Sequence, residues 1–266
     1  MRKRIIIILI ILLAIFAYFI KKHLISVTLA HGAKMLIMPA SESNNNQCAI
    51  IICPGGSYSS LSRWNEGYFW IPFFHRLGYT VAVLEYRMPC FDYHKPIIDG
   101  GEAVSLMRSL SGKFNIDKGR VGLVGFSAGG HIASTLMVSE DTLVRPNFTA
   151  LFYPVISMTK ELTHTWSHDH LLGKNATKEL EYHLSNELHI TNSTPPVFIA
   201  LSKDDNVVNP QNSIRFYNAM IANSRPAIIH IYPSGGHGWG YRKSFKYHQK
   251  MKSDLKRWLK KMEKQS

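Results

Sequence analysis

Short apolar runs alternate with helix-like patterns from residue 27 onward, and this alternation limits the chain to few architectures. Apolar runs bounded by Gly, Pro, Asn or Asp are typical of strands buried on both faces. Predicted strands occupy 26–38 (one or two entry strands), 49–52, 80–85, 120–125, 148–153, 197–202 and 227–232. Predicted helices occupy 66–77, 96–110, 128–138, 209–222 and 244–263. We therefore predict an α/β fold with a mostly parallel central sheet and helices on both of its faces.

One segment, 157–192, interrupts the alternation and is rich in histidine and polar residues. A zinc site is one interpretation of it. However, His168 and His170 are only two residues apart and no cysteine accompanies them. Ligands of such sheets bind at the carboxyl ends of the strands. We favour a short insertion over that active-site end, and we predict neither a metal nor a cofactor.

The chain of 266 residues carries a formal charge of +13, which raises the question of a nucleic-acid partner. Much of the excess lies in residues 2–22 and 242–264. No aromatic-basic RNA motif or zinc-finger spacing accompanies it. We therefore predict a solvated helix face and membrane-flanking charge, with no nucleic acid bound.

We predict that the first 25 residues form a separate targeting segment ahead of one domain over 26–266. Arg2-Lys3-Arg4 precedes the uninterrupted apolar run 5–20, and Lys21-Lys22 follows it. A charged region followed by an apolar one is typical of an export signal. The lysines make a poor cleavage site, so we favour an uncleaved signal anchor, with a cleaved signal peptide as the alternative. Either way the domain is predicted to be exported, and to be membrane-anchored, periplasmic or extracellular.

The cysteines Cys48, Cys53 and Cys90 fit neither a zinc site nor a disulfide framework. We interpret them as small buried residues. A bridge from Cys48 or Cys53 to Cys90 is the alternative in an oxidising compartment.

A serine stands where a predicted strand turns into a predicted helix. Gly125-Phe126-Ser127-Ala128-Gly129 matches G-x-S-x-G between the strand 120–125 and the helix 128–138. This is the context of a nucleophile elbow, in which flanking glycines let strand and helix approach closely. The serine then lies at a helix N-terminus, where the dipole favours developing negative charge. We predict Ser127 as the nucleophile.

A nucleophile that attacks a carbonyl also needs hydrogen-bond donors for the resulting oxyanion. Pro54-Gly55-Gly56-Ser57-Tyr58 follows the first buried strand, where esterases carry a glycine-rich loop. We predict that the N–H groups of Gly56, Ser57 and Ala128 form the oxyanion hole. Each such donor typically contributes about 3–4 kcal/mol to the transition state.

A histidine and an acid follow two later predicted strands. His237 lies in the glycine-rich segment 235–239, so backbone rather than core packing positions it, and we predict it as the general base. Asp204 or Asp205, after the strand 197–202, can orient its imidazole. The order Ser, Asp, His along the chain is that of the α/β-hydrolases.

These motifs resemble the α/β-hydrolase superfamily over nearly all of residues 27–260. More narrowly, the chain resembles small bacterial carbohydrate acetylesterases and feruloyl-esterase-like hydrolases. The resemblance is carried by Cys53-Pro54-Gly55-Gly56-Ser57-Tyr58, Glu66-Gly67, Leu84-Glu85-Tyr86-Arg87-Met88-Pro89, Ile116-Asp117, the run 125–131, Tyr232-Pro233 and Gly236-His237-Gly238. The acid loop Asp204-Asp205-Asn206-Val207 is similar to that of prolyl-oligopeptidase-like enzymes, where the first Asp is catalytic, which implies Asp204. Ser57 replaces a third glycine found in many relatives, but its N–H can still donate.

The resemblance implies a serine esterase that deacetylates or deacylates carbohydrates of the plant-polysaccharide type through an acyl-enzyme. Its partner is then a small-molecule or oligosaccharide ester, with contact to a membrane through the N-terminal segment only. One alternative is a prolyl-oligopeptidase-like peptidase, which usually carries a large appended domain that these residues do not supply. The other is a catalytically inactive hydrolase fold used for binding. Such a protein typically lacks a catalytic member, whereas Ser127, an acid and His237 are all present.

Overall fold

The strands build one central sheet in the computed structural model, which describes residues 24–263. They are β1 Ile25–Thr28, β2 Lys34–Met38, β3 Ala49–Cys53, β4 Thr80–Glu85, β5 Val121–Phe126, β6 Phe148–Phe152, β7 Val197–Ser202 and β8 Ala227–Tyr232. Their order in the sheet is β1-β2-β4-β3-β5-β6-β7-β8. The pairs β1/β2 and β2/β4 are antiparallel, and every other neighbouring pair is parallel. The predicted mostly parallel sheet is confirmed.

Helices connect most of the parallel strands. They are α1 Ile71–Arg76, α2 His94–Ser109, α3 Ser111–Phe114, α4 Ser127–Met137, α5 Thr165–Leu172, α6 Lys178–His183, α7 Gln211–Ala222 and α8 His248–Met262, with 3₁₀ turns at Glu42–Asn44, Tyr68–Trp70 and Asn186–Leu188. The helix predicted from residue 66 is shorter than expected. Gly67 lies in a tight turn, where an added Cβ would come within 2.4 Å of the Arg63 carbonyl oxygen. The helix predicted from residue 244 begins only at His248, because Phe245 turns inward and stacks on Trp239.

Helices cover both faces of the sheet, as predicted. On one face Gly125 of β5 meets α4, where an added Cβ would lie 2.8 Å from that of Ala133. On the opposite face Phe126 stacks on Phe152 with ring centroids 4.7 Å apart. Trp70, in the 3₁₀ turn directly before α1, packs beside both of these rings. The side chains of β5 therefore alternate between two helical layers.

The insertion 157–192 contains α5 and α6 and lies between β6 and β7 in the chain. Its histidines make individual hydrogen bonds: His164 to Ser167, His168 to Asp169 and Glu181, His170 to the Trp166 carbonyl, and His189 to the Tyr182 carbonyl. Within residues 24–263, no group of three or more His, Cys, Asp or Glu side chains is arranged to hold a metal.

Cys48 and Cys53 are buried, Cys90 is exposed, and all three are free thiols. The interpretation as small buried residues therefore holds for the first two and is wrong for Cys90. The alternative of a disulfide bridge is not realised.

The apolar run 5–20 and its flanking lysines, on which the predicted anchor or signal depends, lie outside the described residues. Across the part of the chain that the structure describes, no helix combines the length and the apolar character needed to cross a bilayer.

Candidate active site

Ser127 begins α4 directly after β5, in the strand–turn–helix arrangement that the sequence predicts. Its φ angle is 49°, a left-handed conformation that costs a non-glycine residue free energy and is typical of strained functional turns. The flanking glycines make this close approach feasible. An added Cβ at Gly125 would lie 2.6 Å from the Gly129 oxygen, and one at Gly129 would lie 2.1 Å from the Cys53 oxygen.

His237 connects Ser127 to an acid. Its Nε2 lies 2.8 Å from Oγ of Ser127, and its Nδ1 lies 2.7 Å from Oδ2 of Asp205. An ionised carboxylate can only accept, so Nδ1 carries the proton that is donated to Asp205. Nε2 is then free to accept the hydrogen bond from the Ser127 hydroxyl. This protonation pattern prepares the histidine to take a proton from the serine.

The acid against His237 is Asp205, so the prediction of Asp204 is wrong. Asp205 is buried, and its second oxygen, Oδ1, accepts the N–H groups of Val207 and Val208 at 3.0 Å each. Three donors therefore fix the carboxylate in one orientation, with Oδ2 directed at the imidazole.

Asp204 has a different position, on the exposed side of the same turn. Its carboxylate accepts the N–H groups of Gly236 at 2.8 Å and Gly235 at 3.2 Å. The bond from Gly236 is the main cause that lowers the pKa of Asp204 below its usual range. Asp204 thus holds the backbone of the loop that carries His237, and it makes no contact with the imidazole.

The loop after β3 lies against Ser127, as the sequence predicts. An added Cβ at Gly55 would come within 2.8 Å of the Ser127 Cβ. The backbone then has positive φ at three successive residues, with values of 131° at Gly56, 55° at Ser57 and 60° at Tyr58. Neither the Gly56 nor the Ser57 N–H has an acceptor within residues 24–263.

The third predicted donor, the N–H of Ala128, belongs to the first turn of α4. N–H groups in the first turn of a helix have no acceptor within that helix. Ala128 directly follows Ser127, so the first turn and the loop after β3 both border the serine. The structure therefore places all three predicted donor residues on segments that border Ser127, and their role stays a prediction.

A buried acid that the sequence did not single out as functional supports this loop. Glu66 accepts the N–H of Gly55 at 3.0 Å and the hydroxyl of Tyr153 at 2.7 Å. The same hydroxyl accepts the N–H of Gly240 at 2.8 Å, and the Tyr153 ring lies 4.7 Å from that of His237. Burial raises the pKa of Glu66 above its usual range. One carboxylate thereby joins the donor loop to the histidine loop.

His131 provides a second support that sequence reasoning missed. Its Nε2 donates to the Leu184 carbonyl at 2.8 Å, so its Nδ1, 2.9 Å from the Tyr58 hydroxyl, accepts from that group. Burial lowers the pKa of His131 to about 4, which keeps the ring neutral. His131 thus ties the donor loop to the insertion, and nothing in its sequence context beyond the G-F-S-A-G-G-H run indicated this contact.

The insertion borders the active site. The Nε1–H of Trp166 donates to the Ser59 hydroxyl at 3.3 Å, so α5 contacts the donor loop directly. Burial is the main cause that lowers the pKa of His164, the neighbouring His237 lowers it further, and Asp205 raises it. These contacts agree with the predicted insertion over the active-site end of the sheet.

The sequence is similar to those of two known carbohydrate-active enzymes. The chain is 39% identical over 217 residues to an acetylxylan esterase of Xylanibacter ruminicola, covering 80% of this chain and 45% of that protein. It is 34% identical to endo-1,4-beta-xylanase B of Butyrivibrio fibrisolvens, covering 72% of this chain and 32% of the xylanase. The chain thus spans less than half the length of these curated relatives.

Solved structures share the fold. An acetyl ester-xyloside bifunctional hydrolase from Caldicellulosiruptor lactoaceticus is similar with a TM-score of 0.79 and 31% identity, covering 86% of this chain and 88% of that one. A carboxylesterase from Lactobacillus plantarum is similar with a TM-score of 0.73 and 22% identity, covering 90% and 96%. Residues 35–220, more than half of the chain, match the BD-FAE family. The fold is that of the α/β-hydrolases, and the chain belongs to the BD-FAE family.

Proposed function

We propose that this protein is a carboxylic ester hydrolase that removes acyl groups, above all acetyl groups, from carbohydrates through an acyl-enzyme on Ser127. The observation that carries the proposal is the continuous hydrogen-bond chain from Ser127 through His237 to the buried Asp205. The carbohydrate part is supported by the similarity to an acetylxylan esterase and to an acetyl ester-xyloside hydrolase.

In the first half of the reaction, Oγ of Ser127 attacks the ester carbonyl carbon while Nε2 of His237 takes the hydroxyl proton. Asp205 stabilises the imidazolium that forms and holds its ring in place. The carbonyl oxygen becomes an oxyanion, which the N–H groups of Gly56, Ser57 and Ala128 are proposed to stabilise.

The intermediate then collapses. The bond from the acyl carbon to the alcohol oxygen breaks, and Nε2–H of His237 gives its proton to that oxygen. Water next attacks the acyl-enzyme while His237 takes one of its protons. The bond to Ser127 breaks, the proton returns to Oγ, and the carboxylic acid leaves.

The two alternative functions fit the observations less well. An inactive hydrolase fold used for binding has no need of a strained serine at a φ of 49° that is hydrogen-bonded to a histidine. A peptidase shares this chemistry. However, the similarity to an acetylxylan esterase and to a carboxylesterase favours ester bonds over peptide bonds as the substrate. The discriminating measurement is the rate on acetylated xylo-oligosaccharides against the rate on aminoacyl-arylamides.

The nucleophile is tested with Ser127→Ala. This variant removes the acyl-enzyme route, so turnover of 4-nitrophenyl acetate and of acetylated xylo-oligosaccharides should fall nearly to background with the fold retained. A fluorophosphonate probe should label the unaltered protein and a Ser59→Ala control, but not Ser127→Ala. Labelling of Ser127→Ala at another serine contradicts the assignment.

We also propose that the segment 1–25 exports the domain and keeps it attached to a membrane. The support is the charge-free run 5–20 between Arg2-Lys3-Arg4 and Lys21-Lys22. A run of about 16 apolar residues at about 1.5 Å each is short for a bilayer core of about 30 Å, and lysine side chains can extend it by reaching the interface. Recovery in the membrane pellet, with release by detergent but not by salt, supports the anchor. A soluble product that begins near His31 contradicts it and indicates a cleaved signal.

A further inference from the structure

Trp64 and Trp166 differ from the other tryptophans in their exposure. Trp64 is 63% exposed and Trp166 is 60% exposed, whereas Trp70, Trp239 and Trp258 are buried. Single exposed apolar residues are common on protein surfaces and need no explanation by themselves. The contacts of each indole therefore indicate whether it is positioned to bind a substrate.

Trp166 is held in place by the donor loop. Its Nε1–H donates to the Ser59 hydroxyl at 3.3 Å, and that hydroxyl donates to the Gly56 carbonyl at 3.1 Å. The ring also lies 4.8 Å from that of His170. These contacts fix the indole while much of its surface stays open to solvent. A side chain that is already ordered loses little conformational entropy when a ligand binds to it.

Trp64 makes different contacts. Its ring packs against those of Tyr68 and Phe69, at 5.1 and 6.0 Å between centroids. No hydrogen bond joins its indole to the loops around Ser127 in the part of the chain that the structure describes. Trp166 is therefore the better candidate for contact with a substrate.

The position of Trp166 relative to His237 indicates which half of an ester it would contact. The Nε1–H of Trp166 reaches Ser59 on the loop beside Ser127, and His164, two residues before Trp166, lies near enough to His237 and Asp205 for both to affect its pKa. In ester hydrolysis the histidine protonates the oxygen of the departing alcohol, so the alcohol lies beside the histidine. The segment that carries Trp166 thus borders the alcohol half of the ester rather than the acyl half.

We infer that Trp166 forms a binding subsite for a sugar ring of the alcohol half of the substrate, which stacks on the exposed indole. This inference rests on the proposed function. The C–H bonds on one side of a pyranose ring form an apolar patch, and the face of an indole is the negative, polarisable partner that such a patch fits. The acyl group is transferred to Ser127 as before, and the subsite adds affinity for oligosaccharide esters over small esters.

The test compares Trp166→Ala with the unaltered protein on acetylated xylotriose and on 4-nitrophenyl acetate. Stacking on an aromatic ring typically changes binding by a factor of about three to ten. We expect kcat/KM on acetylated xylotriose to fall about threefold to tenfold, mostly through KM, since ground-state and transition-state binding are lost alike. On 4-nitrophenyl acetate the change should stay within about twofold. Trp166→Phe, which keeps an aromatic face, should recover part of the loss.

Tyr182→Ala is the matched control, because Tyr182 is another exposed aromatic residue of the insertion and its ring contacts His189 instead of the donor loop. This variant should leave kcat/KM unchanged on both substrates. Equal losses on both substrates in Trp166→Ala would mean that the indole acts only through Ser59, which overturns the subsite. Methyl ferulate has a large acyl half and a small alcohol half. A lower kcat/KM of Trp166→Ala on methyl ferulate, with no change on acetylated xylotriose, also overturns the subsite, since the indole would then contact the acyl half.

A binding measurement separates failure of the subsite from failure of the proposed function. Unacetylated xylotriose is titrated into the Ser127→Ala protein and its Trp166→Ala derivative. Saturable binding that weakens about threefold to tenfold without the indole supports the subsite, even if no ester is cleaved by the unaltered protein. Absence of binding to both proteins, or equal binding to both, overturns the subsite while leaving esterase activity to be judged by turnover.

Discussion

The carboxylate of Glu66 accepts a hydrogen bond from the hydroxyl of Tyr153 at 2.7 Å, beneath the loops that surround Ser127. Through this bond and the one from Gly55, a single buried acid connects the oxyanion-donor loop to the end of β6. The Tyr153 hydroxyl continues the connection to Gly240, three residues after His237. Two buried side chains, Glu66 and Tyr153, thus join the donor loop to the histidine loop.

We expect Glu66→Gln to lower kcat with little change in KM. Gly55 and Tyr153 donate to different oxygens of the carboxylate, so in glutamine the NH₂ group takes the place of one acceptor and faces one of these donors. A displaced donor loop can cost up to about 10²-fold in rate. Steady-state kinetics on 4-nitrophenyl acetate measure the effect.

Glu179→Gln, at an exposed position on α6, is the control, and its kcat and KM should equal those of the unaltered protein. Loss of thermal stability in Glu66→Gln with an unchanged kcat would show that the carboxylate only stabilises the fold. A raised KM with an unchanged kcat would also argue against a positioning role.

The two neighbouring aspartates should differ strongly on substitution. Asp205→Asn can hold the wrong imidazole tautomer, which costs up to about 10⁴-fold in turnover in the best-studied triad. Asp204→Asn should cost far less, because one carbonyl oxygen remains to accept the N–H of Gly236. The kcat values of both variants decide the matter, and equal losses would mean that the loop support by Asp204 is as important as the imidazole contact.

The sequence predicts the histidine, the serine and the fold because each of these depends on local pattern. Ser127 and His237 both follow a predicted strand, and parallel strands bring their carboxyl ends to one edge of the sheet. Asp204 and Asp205 follow the same strand one residue apart, so no periodicity distinguishes them. The geometry of the turn determines which aspartate meets the histidine. The N–H groups of Val207 and Val208 donate to one oxygen of Asp205, which directs its other oxygen at the imidazole.

The supporting residues could not be predicted because their partners are remote in sequence. Glu66 meets Tyr153 across 87 residues, and His131 meets Leu184 across 53 residues. The local sequence after Glu66 favours a helix, and the prediction followed it. In the structure the side chain of Glu66 turns to the donor loop, and the tight turn at Gly67 delays the helix to Ile71.

Gly129 and Gly112 offer a paired test of the elbow. An added Cβ at Gly129 would lie 2.1 Å from the backbone oxygen of Cys53, and neither α4 nor β3 can move without disturbing the sheet. Gly129→Ala should therefore destabilise the protein by about 3 kcal/mol or more. Gly112 in α3 has open space around it, so Gly112→Ala should stabilise by about 0.4–1 kcal/mol. Urea unfolding measures both, and a Gly129→Ala protein of unaltered stability contradicts the predicted close approach.

His131 should make the protein less stable as the solution becomes acidic. Burial lowers its pKa from 6.5 to about 4 in the folded state, so the unfolded chain takes up a proton first as the pH falls. Its contribution to stability is complete above pH 6.5 and is lost progressively down to about pH 4. At 1.36 kcal/mol per unit of pKa shift, this residue alone lowers the free energy of unfolding by about 2 kcal/mol between pH 7.5 and pH 5.

Urea unfolding at pH 7.5 and pH 5.0 measures this dependence in the unaltered protein, in His131→Gln and in His183→Gln. Burial also lowers the pKa of His164, His230 and His248, so the unaltered protein loses stability for several reasons. The informative quantity is therefore the difference between proteins. The free energy of unfolding that is lost between the two pH values should be smaller by about 2 kcal/mol in His131→Gln, since glutamine does not titrate. In the control His183→Gln, at an exposed position, this loss should equal that of the unaltered protein. An equal loss in all three proteins would mean that the link between Tyr58 and Leu184 does not depend on a neutral imidazole.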